Sequence, residues 1–238
     1  MKILSIGNSF SQDAQAYLKG VCDSQGLEIT CANLFIGGCS LIRHYHNMKK
    51  DLTEYSYQLN GGSGEGTISI KEALLKEKWD VITFQESSLR ATELCHFEPY
   101  LSELVEYVRS ILPEAKIAIH QTWAYDKSKL HAMKHGGAFS SNEMFDMVRE
   151  NYLTMFDKVG ADIFIPSGLV LKRLYNEGYT VHSDGQHASL GLGRYALALT
   201  WMRALFGVKA TGNPFRNFDA FVSHEELEAA WSAVDELV

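Results

Sequence analysis

Three residues of the types that make an acyl-transfer site lie far apart in this chain. Ser9 is near the start, and Asp184 and His187 frame the run Asp184-Gly185-Gln186-His187. A serine hydroxyl is a weak nucleophile until a base takes its proton. An imidazole does this well when a carboxylate fixes its tautomer. The spacing Asp-x-x-His lets both side chains project the same way from a turn or a first helical turn. The carboxylate then accepts the Nδ1 proton and leaves Nε2 for the serine. Ser9 stands in Gly7-Asn8-Ser9-Phe10-Ser11, directly after a stretch that reads as a short buried strand ending at Gly7. A helix is predicted from Ser11 or Gln12 to about Asp23, with Ala14, Tyr17, Leu18 and Val21 on one face. A serine between a strand end and a helix start is exposed at the sheet edge and faces the positive end of a helix dipole. The plainer alternative is that Ser9 or Ser11 only caps the helix, that Asp184 is also a cap, and that His187 is a solvated loop residue.

Other residues are candidates by position. Gly37-Gly38 follows a predicted strand over Leu27–Ile36, and two glycines there permit positive φ and close backbone approach to a ligand. Gln85-Glu86-Ser87-Ser88 follows the strand predicted over 79–85, and Trp123 and Tyr125 follow the one over 116–123. The glycine-rich run Asn60–Gly66 lacks the Lys-Ser/Thr ending of a phosphate-binding loop and reads as a hairpin turn. The chain has nine histidines but no His-Glu-x-x-His, so no metal site is expected. His44 and His46 fall on different faces of a predicted helix. His96, His120 and His182 read as packed or hydrogen-bonded residues, and His131 and His135 as a solvated pair. Cys22, Cys31, Cys39 and Cys95 have no C-x-x-C spacing and read as reduced, mostly buried apolar residues.

The elements that must position these residues alternate. Five strands are predicted, with helices between them over 40–50, 71–78, 97–112, 142–159, 166–176 and 189–206, and a last helix capped by Ser223 with Glu226. Residues 54–70 alternate on either side of a turn cluster and read as an inserted β-hairpin. Residues 124–141 read as a long polar loop. This alternation implies one α/β domain over residues 1–238: a three-layer α/β/α sandwich around a parallel sheet of about five strands. In such sheets the site lies outside the carboxyl ends of the strands, which puts Ser9, Gly38, Gln85 and Trp123 on one rim. A hydrophobic fraction of 46% suffices for a sizeable core, and a net charge of −7 argues against nucleic acid or an anionic membrane as partner. No apolar run approaches the roughly 18 residues of a membrane span. The opening Met-Lys is followed by too few apolar residues for a signal peptide, so a cytoplasmic location is expected unless a leader has been removed.

Gly7-Asn8-Ser9, Gly37-Gly38 and Asp184-Gly185-Gln186-His187 together resemble the block pattern of the SGNH (GDSL-type) hydrolase superfamily, in order and across nearly the whole chain. The resemblance implies a flavodoxin-like fold and an esterase without cofactor or metal. It makes Ser9 the nucleophile, His187 the base and then the acid, and Asp184 its orienting partner. It places the N–H groups of Ser9 and Gly38 in an oxyanion hole. Two positions depart from the pattern. The usual Asp after the first glycine is Asn8, a supporting residue grouped here with the substrate-binding set. The Gly-x-Asn block is missing, and its place holds Gln85-Glu86-Ser87-Ser88. That run resembles the Gln-Gly-Glu-Ser block of SGNH-like carbohydrate acetylesterases with one residue lost, which makes Gln85 the third oxyanion donor.

The resulting expectation is a serine esterase that releases a short, acetyl-like group from a small or carbohydrate-like alcohol. Trp123 and Tyr125 would be an aromatic platform for a sugar ring, the rival being that they are rim packing. Two other readings stand beside it: a flavodoxin-like domain that binds phosphate or a nucleotide at the first turn, and a non-catalytic relative.

Overall fold

The structure is a computed structural model and describes residues 1–132 and 140–238. Its strands are β1 (Lys2–Gly7), β2 (Thr30–Phe35), β3 (Tyr55–Leu59), β4 (Glu65–Ile68), β5 (Val81–Phe84), β6 (Lys116–His120) and β7 (Ile163–Ile165). They form one sheet in the order β4-β3-β2-β1-β5-β6-β7. The five parallel strands therefore run second, first, third, fourth, fifth, the flavodoxin-like order, and the direction of winding reverses between β1 and β5. β1 has a parallel partner on each side, and its interior residues are buried. That explains its near-continuous apolar run. Ser5 is the polar exception, and its hydroxyl is satisfied by Gln15 Nε2 and Thr83 Oγ1, each at 2.7 Å.

The α/β/α sandwich expected from the alternation is the observed fold. The hairpin differs in one respect. β3 and β4 are not set apart from the core but extend the sheet, β3 pairing antiparallel with β2. Without them β2 would be an open edge, with its backbone groups unpaired.

The helices are α1 (Ser9–Gln15), α2 (Leu18–Asp23), α3 (Leu41–Lys50), α4 (Ile70–Lys76), α5 (Tyr100–Ile111), α6 (Lys127–Ala132), α7 (Ser141–Lys158), α8 (Ser167–Asn176), α9 (Leu192–Phe206) and α10 (His224–Leu237). α9 packs against α1, α2, α8 and α10, while α3, α4 and α5 pack against one another. α9, expected over 189–206, is buried over much of its surface rather than on one face. Leu197, Ala198 and Trp201 are covered as fully as Tyr195 and Leu199, because neighbours enclose it on several sides. The stretch 124–141, expected to be loop, contains α6; the Gly136-Gly137 pair and His135 lie outside the described residues. No described helix is long and apolar enough to cross a membrane.

Candidate active site

β1 stops at Gly7 because the chain turns tightly there. A Cβ on Gly7 would stand 2.1 Å from Ser11 Oγ. Helix α1 then starts at Ser9, two or three residues earlier than expected, and its cap is Asn8 rather than a serine. Asn8 Oδ1 accepts from Phe10 N at 2.9 Å, and Ser11 Oγ accepts from Asn8 N at 3.0 Å, a reciprocal capping box. Capping by Asn8 leaves the Ser9 hydroxyl free. It meets His187 Nε2 at 3.0 Å, and His187 Nδ1 lies 2.8 Å from Asp184 Oδ2. The other Asp184 oxygen accepts the backbone N–H groups of Gln186 at 2.9 Å and His187 at 2.7 Å. One carboxylate thus folds the turn and orients the ring. Desolvation works against its charge, but the bonds from the His187 ring and the two N–H groups outweigh it and hold the carboxyl below the usual range.

The segment after β6 clamps this turn from the side. Trp123 Nε1 donates to Gln186 O at 2.7 Å, Asp126 N to Gly185 O at 2.9 Å, and His182 Nε2 to Ala124 O at 3.0 Å. Gly185 is held at φ 79°, with no room for a side chain: a Cβ would stand 2.6 Å from Asp126 Oδ1. The aromatic platform expected of Trp123 and Tyr125 is not what the structure contains. The two are 1% and 5% exposed, with no open face for a ring to stack on. The Trp123 ring packs edge-on against Phe10, whose own ring lies 5.9 Å from that of His187.

Asn8 is likewise fully buried, and its side-chain atoms are taken up by bonds within the protein as a brace rather than open to the surface. Its bonds form part of a directional chain. Ser167 Oγ donates to His120 Nε2 at 3.0 Å, His120 Nδ1 to Gln85 Oε1 at 2.7 Å, Gln85 Nε2 to Asn8 Oδ1 at 2.7 Å, and Asn8 Nδ2 to Cys39 O at 2.8 Å. This network fixes the amide orientations and the histidine tautomer. Full burial pushes the His120 pKa down to about 3 and keeps the ring neutral, as the chain requires. Gln85 is 2% exposed and spends one of its two amide protons on Asn8, which leaves one for another acceptor. Gly38 has φ 62° and lies exposed in the turn that Asn8 holds through Cys39.

Glu86, fully buried, ties the same turn to the sheet. Its Oε2 accepts from Leu41 N at 3.2 Å, its Oε1 from Ser87 N at 2.6 Å, and the Tyr152 hydroxyl bonds both its N–H and its carbonyl. Burial pushes its carboxyl up to about 7, against those N–H groups and Arg90. Reasoning from sequence gave His120 and Glu86 no such part. The signal available was a polar residue at, or just past, the buried end of an apolar strand, where packing alone calls for none.

Among the described residues, Glu93, Cys95 and His96 bring three ligand-type atoms within 4.8 Å of one another. The Arg90 guanidinium lies 3.1 Å from His96 Nδ1, so a fixed cation already occupies that nitrogen.

Residues 2–235 match the model of a family described as a domain of unknown function, DUF4886. The crystal structure of a DUF4886 family protein from Bacteroides uniformis is similar, with a TM-score of 0.91 and 32% identity over 99% of this chain and 93% of that one. A provisionally assigned SGNH hydrolase from Slackia heliotrinireducens superposes with a TM-score of 0.62 at 21% identity, over 86% of this chain and 98% of that one. The acetylxylan esterase Axe2 from Geobacillus stearothermophilus does so with a TM-score of 0.59 at 14% identity, over 85% and 93%. The last two likenesses show a shared SGNH-type fold. No curated protein matches the chain.

Proposed function

The chain belongs to the DUF4886 family, and we propose that it is a serine ester hydrolase acting through an acyl-enzyme on Ser9. The observation that carries this reading is the unbroken hydrogen-bonded series Asp184–His187–Ser9. Ser9 Oγ attacks the ester carbonyl as its proton passes to His187 Nε2, and Asp184 accepts the Nδ1–H and steadies the imidazolium that forms. The oxyanion is received by N–H groups. Ser9 is the first residue of α1, where an N–H has no acceptor within the helix. Gly38 supplies a second N–H and the free amide proton of Gln85 a third. His187 returns its proton to the leaving alcohol. It then takes one from water as the water oxygen attacks the acyl carbonyl, and passes that proton to the departing Ser9 Oγ, which frees the acid and restores both residues. A short acyl group on a small or carbohydrate-like alcohol is the favoured substrate. Its support is the acetylxylan esterases among the proteins of similar fold, together with the Gln85-Glu86-Ser87-Ser88 run.

The test is hydrolysis of p-nitrophenyl acetate and butyrate by the wild type, Ser9→Ala and His187→Ala. The expected result is turnover by the wild type, acetate faster than butyrate, with both variants lower by at least about 10³-fold. Equal turnover by all three proteins sinks the assignment of Ser9 and His187.

A further inference from the structure

Helix α1 carries a second polar side chain one turn beyond Ser9. Asp13 lies on the same face, and its side chain is 5% exposed. Its Oδ2 accepts the backbone N–H of Ala188, the residue after His187, at 3.0 Å. Two neighbouring loop residues therefore meet two neighbouring turns of the helix: His187 reaches Ser9 and Ala188 reaches Asp13. Past the end of α1, at the cap of α2, the Tyr17 hydroxyl bonds Leu190 O. Helix α1 and the loop are thus fastened in register at two successive points, Ser9 and Asp13.

The Asp13 point differs from the other contacts of the loop. The Asp184–His187 bonds lie within the loop and travel with it. The Trp123, Ala124 and Asp126 contacts tie it to the segment after β6, not to the helix that bears the nucleophile. Ala188 is 1% exposed, so its N–H has no water to turn to if Asp13 is removed. The carboxylate is itself held from behind. Its Oδ1 accepts from Arg194 Nε at 3.0 Å and lies 2.9 Å from Nη2, and Arg194 is anchored in the buried helix α9. Desolvation raises the Asp13 pKa, and Arg194 and the Ala188 N–H oppose that rise.

On the hydrolase reading given above, we infer that Asp13 is a positioning residue that sets the reach of His187 to Ser9 by holding the next backbone amide of the loop to the nucleophile's own helix. It touches no substrate. A serine–imidazole pair works only over a narrow range of separation, and a displacement of about 1 Å at such a pair can cost on the order of 100-fold in rate.

The experiment compares the wild type, Asp13→Ala, and the double variant Asp13→Asn/Arg194→Gln. The double variant keeps an acceptor for Ala188 N–H and a neutral partner behind it. One arm is kinetic, with p-nitrophenyl acetate at a temperature where thermal denaturation shows all three folded. The expected result is a kcat roughly 10–100-fold lower in Asp13→Ala, with KM within about twofold, and recovery of most of the loss in the double variant. The other arm is the crystal structure of Asp13→Ala, which needs no activity. Its expected result is a Ser9 Oγ–His187 Nε2 separation beyond hydrogen-bonding range, with Ala188 shifted away from α1. An Asp13→Ala protein that keeps the 3.0 Å contact or the wild-type kcat overturns the inference. A wild type that hydrolyses no ester overturns the hydrolase reading instead, and the crystal arm alone then decides the fate of the Asp13 contact.

Discussion

At the scale of single residues, the chain solves a placement problem with amides. Asn8 stands where the SGNH block pattern that the chain resembles has Asp, and the structure gives a reason. Its side chain must accept from Phe10 N and Gln85 Nε2 and also donate to Cys39 O. An ionised carboxylate can only accept. Asn8→Asp is therefore expected to set a carboxylate oxygen against the Cys39 carbonyl in a fully buried site. The expected cost is about 1–3 kcal/mol in chemical denaturation and, on the hydrolase reading, a fall in the rate of ester hydrolysis as the Gly38 turn loosens. Unchanged stability would show that the Asn8–Cys39 bond carries little. Ser9, Asp184 and His187 were readable as candidates because a short motif fixes their spacing and the block order repeats a known pattern. Asn8, Gln85 and His120 form a buried series whose members come from three strand ends. Nothing in a linear sequence records which strand ends are neighbours.

At the scale of elements, the alternation of strands and helices was legible because apolar runs and amphipathic stretches have different periods. The starting point of α1 was not. Three polar residues, Asn8, Ser9 and Ser11, are all able to cap, and only the tertiary partners of Asn8 decide among them. The Trp123 ring was expected at the rim because it follows a strand, but the turn it clamps folds over it. That turn and the start of α6 are fitted closely at Gly185, where positive φ and the Asp126 and Lys129 side chains both exclude a Cβ. Gly185→Ala is expected to displace the Asp184–His187 turn. The predicted loss is about 1–3 kcal/mol of stability and at least about tenfold in kcat, read by denaturation and ester kinetics. A variant with wild-type values would mean that the turn adapts without moving His187.

At the scale of the whole molecule, buried ionisable groups set the response to pH. Desolvation pushes His44 and His120 down to about 3 from 6.5, so below pH 6.5 the unfolded chain binds protons that the folded chain refuses. Stability at these sites falls as pH falls through that window. Glu86 acts in the opposite sense: burial raises it to about 7 from 4.5, so the folded state holds a proton and gains stability as pH falls from 7 to 4.5. Two histidines outweigh one carboxylate. The net expectation is a loss on the order of 3 kcal/mol between pH 6.5 and 4.5, measured from urea denaturation at the two pH values. Glu86→Gln should steepen the loss, and a rise in stability on acidification would contradict the account. The register between α1 and the loop at His187 has a further consequence, for the making of the protein. Ser9 and His187 are 178 residues apart, and α9, which covers α1, comes later still. On the hydrolase reading, a ribosome delivers the nucleophile first and its base only after most of the chain. Ser9 is then made long before its partner, and an incomplete chain carries no assembled Ser9–His187 pair.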